Sequence, residues 1–205
     1  MQRAVVSVLV LQWAWTLKGI PVLPETHILA QENFDLGQFM GKWYEVAVVS
    51  TCPYYMQRKR GNPVIVTLEL KHVASQGNFT MTATNLRNGS CIQTSTVYSL
   101  TNTPGRFFHH VARFGADVDS FVVHTNYDEF AMMVLMGTER PLEIKTTTVK
   151  LYSRSMVVKD AVLDDFKTLA RQQGMSDDTI INNQNKGSDV HTFITRLVLT
   201  ETIFV

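Results

Sequence analysis

Two cysteines and six histidines are the reactive side chains to account for in this 205-residue sequence. Cys52 stands in Ser50-Thr51-Cys52-Pro53-Tyr54-Tyr55, with Arg58, Lys59 and Arg60 close behind. Proline stiffens such a turn, and nearby cations favour thiolate over thiol. That makes Cys52 a candidate redox thiol. An inert loop thiol, or half of a disulfide to Cys91, are the alternatives. His109 and His110 are neighbours on a segment that reads as strand. Alternation sends them to opposite faces, so they do not readily share a metal, and one of them can point inward. His124 is expected to make a structural hydrogen bond beside a turn. No spacing of His, Cys, Asp and Glu supports a zinc or other metal site.

The elements that position these groups are short and regular. Val64, Val66, Leu68 and Leu70 alternate with Ile65, Thr67, Glu69 and Lys71; Phe79, Met81 and Ala83 alternate with Thr80, Thr82 and Thr84. Period two marks half-buried strands. Further strand candidates are 42–50, 92–100, 106–114, 119–125, 129–137 and 146–154, separated by turn formers such as Pro104-Gly105 and Asn126-Tyr127-Asp128. Eight consecutive strands predict an all-β, antiparallel up-and-down barrel, with a β-sandwich as the alternative. One helix follows over 160–173, with Val162, Phe166, Leu169 and Ala170 on one stripe and Gly174 as its stop. Its stripe should pack outside the barrel, and Ser176 is placed to cap a further turn. In such a barrel Cys52 lies on a loop at the open end.

Composition narrows the classes. Charges nearly cancel, with 19 Lys and Arg against 18 Asp and Glu, so nothing favours nucleic acid as a partner. Residues 1–19 read as a secretory signal, Arg3 preceding an apolar run too short for a confident membrane span. The expected organisation is a signal at 1–19, one domain at 20–187 and a tail at 188–205, in a secreted, extracellular protein with no transmembrane segment after cleavage. Residues 20–38 read as a leader closing one end of the domain. Asn78 and Asn88 are N-glycosylation sequons.

Three ordered motifs resemble the lipocalin family. They are Gly41-Lys42-Trp43 on the first strand, Thr125-Asn126-Tyr127 at a late turn with Asn for the family's Asp, and Arg154 closing the last strand. In that fold Trp43 seals the closed end, Arg154 lies across its face with hydrogen bonds to nearby carbonyls, and Gly41 gives room. Gln31 to Phe34, Ser50 to Pro53 and Val122 to Glu129 look like the alpha-1-microglobulin branch of the family.

The resemblance implies binding of small hydrophobic ligands, haem among them, with radical scavenging, and covalent attachment of plasma proteins through Cys52. It implies no obligatory cofactor, and no enzyme beyond a cysteine-dependent reductase activity. By that resemblance Lys150 is a pocket lysine, a solvated strand lysine being the alternative; strand alternation, not the resemblance, is what lets His109 or His110 point inward and approach a haem. Val111 and Gly137 stand where the branch has two further lysines. Cys91 aligns with a cysteine that the branch bonds to a C-terminal partner. The chain after Gly187 does not resemble the branch, so Cys91 is left unpaired or paired with Cys52. The apolar, β-prone tail is then an aggregation risk. Kunitz inhibitor domains would need more cysteines than two, so no protease inhibition is expected of this chain. A lipocalin-type prostaglandin D synthase is the alternative function, and a plain retinoid or lipid carrier a third. The isomerase's nucleophilic cysteine belongs inside the barrel on the second strand, where Val64–Lys71 has none.

Overall fold

The computed structural model describes residues 28–73, 77–87 and 90–185. The signal reading, Asn88 and the tail lie outside them. Eight antiparallel strands run in chain order: β1 Gly41–Ser50, β2 Val66–Val73, β3 Asn78–Arg87, β4 Ser90–Leu100, β5 Arg106–Val111, β6 Ala116–Thr125, β7 Phe130–Glu139 and β8 Ile144–Ser153. Each pairs with the next, and β1 pairs with both β2 and β8, which closes the barrel. A two-residue strand, β9 (Ile181–Asn182), adds to β1 at Ala47 and Val48, where β2 no longer reaches.

The helices are α1 (Leu36–Phe39), α2 (Pro53–Gly61) and α3 (Asp160–Gln172). α2 occupies what the alternation-based reading took as a loop. Its sequence is strongly polar, with no apolar stripe to betray it. The chain enters it through Pro53, whose missing N–H costs nothing in a first turn. The strand expected over 106–114 ends at Val111 and becomes a short 3-10 turn over Ala112–Phe114. Ser176 precedes a 3-10 turn but makes no side-chain cap; its hydroxyl bonds the Asp178 carboxylate instead. Gly174 does terminate α3, at a φ of 76° that favours glycine.

Two apolar cores follow from strand alternation. Outside, Val162, Phe166 and Ala170 of α3 pack on Val46, Met132, Val134 and Leu151. Inside, at the closed end, Trp43, Phe79, Phe107, Val122, Met133 and Tyr152 fill the barrel with Phe39 of α1.

The closed end is tied by one guanidinium. Arg154 stacks 3.6 Å from the Trp43 ring centroid. Its three nitrogens donate to the carbonyls of Tyr127, Lys42 and Gln38, each at 2.8 Å. These carbonyls belong to the β6–β7 turn, to β1 and to α1. Trp43 Nε1 donates to Phe39 O at 2.8 Å. Asn126 Oδ1 accepts from Glu129 N and Phe130 N, so Asn supplies the same acceptor an Asp would. Tyr127, at φ 64°, accepts from Asp35 N through its hydroxyl. Gly41 is required by its φ of 89° rather than by space, since an added Cβ would sit 3.6 Å from Arg154, an ordinary contact.

Arg154→Ala removes a cation–π contact and three charge-assisted bonds, and a cost of roughly 2–4 kcal/mol is expected. Arg154→Lys should recover less than half, because an ammonium cannot serve three divergent carbonyls and lie flat on indole. Urea denaturation midpoints with Trp43 fluorescence measure both.

Candidate functional site

Above the aromatic floor the same inward columns line a cavity of about 410 Å³. On β8, Tyr152 belongs to the floor while Lys150, Thr148 and Thr146 rise along the wall. On β7, Met133 gives way to Leu135, Gly137 and Glu139; on β5, Phe107 gives way to His109 and Val111. Cys52, Tyr54, Tyr55 and Arg58 of the α2 region complete the mouth. Its size falls within the range of pockets that hold small organic ligands.

A buried charge cluster stands in this wall. Glu45, 3% exposed at its side chain, faces inward from β1 as Trp43 does. Its Oε1 accepts from Lys59 Nζ at 2.5 Å, and its Oε2 pairs with Lys150 Nζ at 2.8 Å. Burial pushes the Glu45 carboxyl up, but the Lys150 and Lys59 ammonium groups outweigh it and bring it to about 2. Lys150 is raised well above its ordinary range; burial opposes this, and Glu45 outweighs burial. One carboxylate against two ammonium groups leaves the cavity wall net positive. Lys59 thus ties α2, from within, to the middle of β1.

His109 is 8% exposed and faces the cavity, while His110 faces out and bonds Asp117 at 2.8 Å. The His109 ring lies 4.4 Å from that of Tyr98. There the β4–β5 ladder, of only two residue pairs, has ended. His109 Nδ1 has no hydrogen-bond partner in the described structure, nor has Tyr55 Oη. Burial, then Lys150 and His110, lower the His109 pKa to about 4. The imidazole is therefore neutral at physiological pH, one ring nitrogen donating and the other accepting.

Cys52 is half-buried and immediately precedes α2, its backbone N donating to Ser50 Oγ at 3.1 Å. Its thiol borders the cavity mouth at the positive end of the α2 dipole. Cys91 is exposed on β4, and both thiols are free, so the Cys52–Cys91 bond left open by the sequence is not formed. Val111 and Gly137 both line the cavity, so the two positions without the branch's lysines are apolar wall. His124 departs from expectation: it is exposed, its side chain makes no hydrogen bond among the described residues, and its ring sits edge-on to Phe130 at 5.0 Å. Asn78 opens β3, on the face opposite the inward Phe79. Among the described residues no group of three His, Cys, Asp or Glu could hold a metal.

Glu45 and Tyr55 were missed in the sequence, and Lys59, read there as a cation near Cys52, is instead committed to Glu45. The available signal was a glutamate on the inward parity of Trp43, inside the apolar run from Tyr44 to Val49. Lys59 and Tyr55 carried none, because their placement depends on the unforeseen helix.

Comparison with known proteins agrees with this geometry. The sequence model of the lipocalin / cytosolic fatty-acid binding protein family matches residues 40–187. Protein AMBP of Pleuronectes platessa is 53% identical over 183 residues, 89% of this chain and 50% of that protein. Protein AMBP of Rattus norvegicus is 34% identical over 85% of this chain. The chain spans about half the length of these relatives. Prostaglandin-H2 D-isomerase of Mus musculus is 28% identical over 80% of this chain and 86% of its own. Among solved structures, the siderocalin Ex-FABP superposes with a TM-score of 0.57 at 21% identity, covering 71% of this chain and 93% of its own.

Glu45→Gln leaves two partly buried ammonium groups without their counter-charge, and a loss of about 2–4 kcal/mol is expected, short of that for a fully buried pair. The pH dependence has a definite sign. The folded carboxyl titrates at about 2 against an ordinary value of 4.5, so its stabilisation is present above pH 4.5 and fades as pH falls toward 2. His109 contributes a second slope. Its folded pKa of about 4 lies below the ordinary imidazole value of 6.5, so stability should rise between pH 4 and 6.5, and His109→Phe should flatten that segment. Thermal melts across pH 2–8 of wild type and both variants test this.

Proposed function

The chain belongs to the lipocalin family, and we propose that its barrel binds small hydrophobic ligands, haem first among them, with Cys52 as a redox thiol at the entrance. The observation that carries this reading is the buried His109 Nδ1, unpartnered on the wall of a largely apolar cavity. Its low pKa keeps a ring nitrogen free of a proton at neutral pH, which is what an iron ligand requires. Lys150 and Arg58 fit the acidic groups of such a ligand, and Leu135, Val118 and Val111 fit its apolar body. Haem, when bound, supplies an iron that accepts the imidazole; the chain's own part is to orient, neutralise and shield.

Cys52 supports scavenging by its position. A thiol at the mouth can give a hydrogen atom to a radical, leaving sulfur as the thiyl, and as thiolate can attack a partner protein's disulfide outside the barrel, forming a mixed disulfide while the partner's other sulfur leaves as thiolate. Secretion is part of the same proposal, resting on the N-terminal signal reading and the sequons at Asn78 and Asn88.

A second reading has one specific support, the similarity to a prostaglandin-H2 D-isomerase. Against it, β2 carries no cysteine, and Cys52 is the cavity's sole thiol among the described residues. Glutathione-dependent isomerisation of a prostaglandin endoperoxide, lost in Cys52→Ala, would replace the carrier reading with an enzymatic one.

Haemin titration of wild type beside Cys52→Ser and His109→Phe tests the first reading. Soret absorbance and quenching of Trp43 are followed together. Saturable binding is expected, weakened roughly tenfold, about 1.4 kcal/mol, by either substitution, and with a shifted Soret band in His109→Phe. Absence of saturable binding in the wild type would remove haem, and retinol quenching of Trp43 would then test the plain carrier.

A further inference from the structure

Positive and negative side chains are equal in number among the described residues, but not in place. α3 and the turn after it carry Asp160, Asp164, Asp165, Asp177 and Asp178 against Lys167 and Arg171. The open end of the barrel carries the compensating excess. Arg58 and Arg60 project from α2, Arg87 from the end of β3, Arg113 from the β5–β6 connection and Lys145 from the start of β8. All five are exposed, and none has an ion-pair partner among the described residues. Arg140 is already held by Asp117 and Glu143. Among the described residues the acids without an ion-pair partner toward this end are Glu139 and Asp178, the latter on the turn leading into β9.

The same rim exposes large apolar groups. Leu142 is 76% exposed and Ile144 47%, both at the β7–β8 connection. Tyr54 and Phe114, 56% and 40% exposed, meet edge to face at 6.3 Å beside the cavity mouth. A soluble polyanion would use the cations and have no need of the apolar tips. A bilayer uses both, apolar groups entering the headgroup boundary and cations meeting lipid phosphates.

We propose that the open end docks on an anionic lipid membrane, Leu142, Ile144, Tyr54 and Phe114 inserting shallowly while Arg58, Arg60, Arg113 and Lys145 meet the headgroups. α3 packs along the side of the barrel, outside the ring of cations and apolar tips that forms the docking face. Docked this way, the mouth faces the bilayer, and an amphipathic ligand passes between lipid and barrel without crossing bulk water. That consequence rests on the ligand-binding reading above; the docking itself does not.

The test is co-sedimentation of the protein freed of its 1–19 signal with phosphatidylcholine vesicles, with and without phosphatidylserine, at low and high salt. Partition onto the anionic vesicles is expected, falling with salt. Arg113→Ala should lower it about fivefold, the worth of one basic residue near such a surface. Leu142→Asp should lower it at least as far. Neither residue lines the cavity, so both variants should still bind haemin or retinol without vesicles. Equal partition onto neutral vesicles, wild-type partition by both variants, or binding to heparin with none to vesicles would each overturn the proposal. Loss of ligand binding with vesicle partition retained would overturn the carrier reading and leave the docking surface standing.

Discussion

The molecule depends on a guanidinium lying flat on an indole. Arg154 covers Trp43 and at the same time accepts the task of three carbonyls from three separate segments. A barrel sealed by apolar contact alone would leave the three segments untied, with two of these carbonyls returned to water and the part-buried carbonyl of Tyr127 short of its partner. Because the base is closed and aromatic, the interior above it has a floor. Everything that faces a ligand is positioned relative to that floor by strand alternation.

Between floor and mouth the barrel places polarity where hydrophobic packing would have been simpler. Glu45 is held by Lys150 on the wall and by Lys59 reaching in from α2. Such a cluster gains little over an apolar equivalent in stability, since desolvation offsets most of the attraction. What it contributes is position. α2 is joined to β1 by a buried charge, and through α2 the thiol of Cys52 and the ring of Tyr55 are placed at the entrance. His109 faces this cluster across the cavity, and the positive charge of Lys150 reinforces burial in keeping the imidazole neutral.

The outer surface is polarised in the opposite sense to its overall neutrality. Acids gather on α3, whose inner stripe of Val162, Phe166 and Ala170 is committed to the barrel. Cations gather around the mouth, on α2, at the ends of β3 and β8 and in the β5–β6 connection. The two faces differ because one is a helix anchored by its apolar side, while the other is a ring of strand connections with no packing partner among the described residues.

How much of this was legible beforehand follows from the range of each interaction. Strand periodicity is local, so the eight strands, their antiparallel order and the external helix could be read from residues such as Val64 to Lys71 and Val162 to Ala170. Trp43, Asn126 and Arg154 were legible as motifs, and the opposite facing of His109 and His110 as simple parity. α2 was not legible, because Pro53 to Gly61 has no apolar stripe and is held as a helix by contacts elsewhere, Met56 in the outer core and Lys59 in the inner cluster. The Glu45–Lys59–Lys150 arrangement joins residues far apart in the chain, and only closure of the barrel brings them together. The same closure decided that His109 has no partner and that Cys52 and Cys91 remain apart. Sequence determined which faces alternate; tertiary structure decided which charges meet, because meeting is a property of the closed barrel rather than of any segment within it.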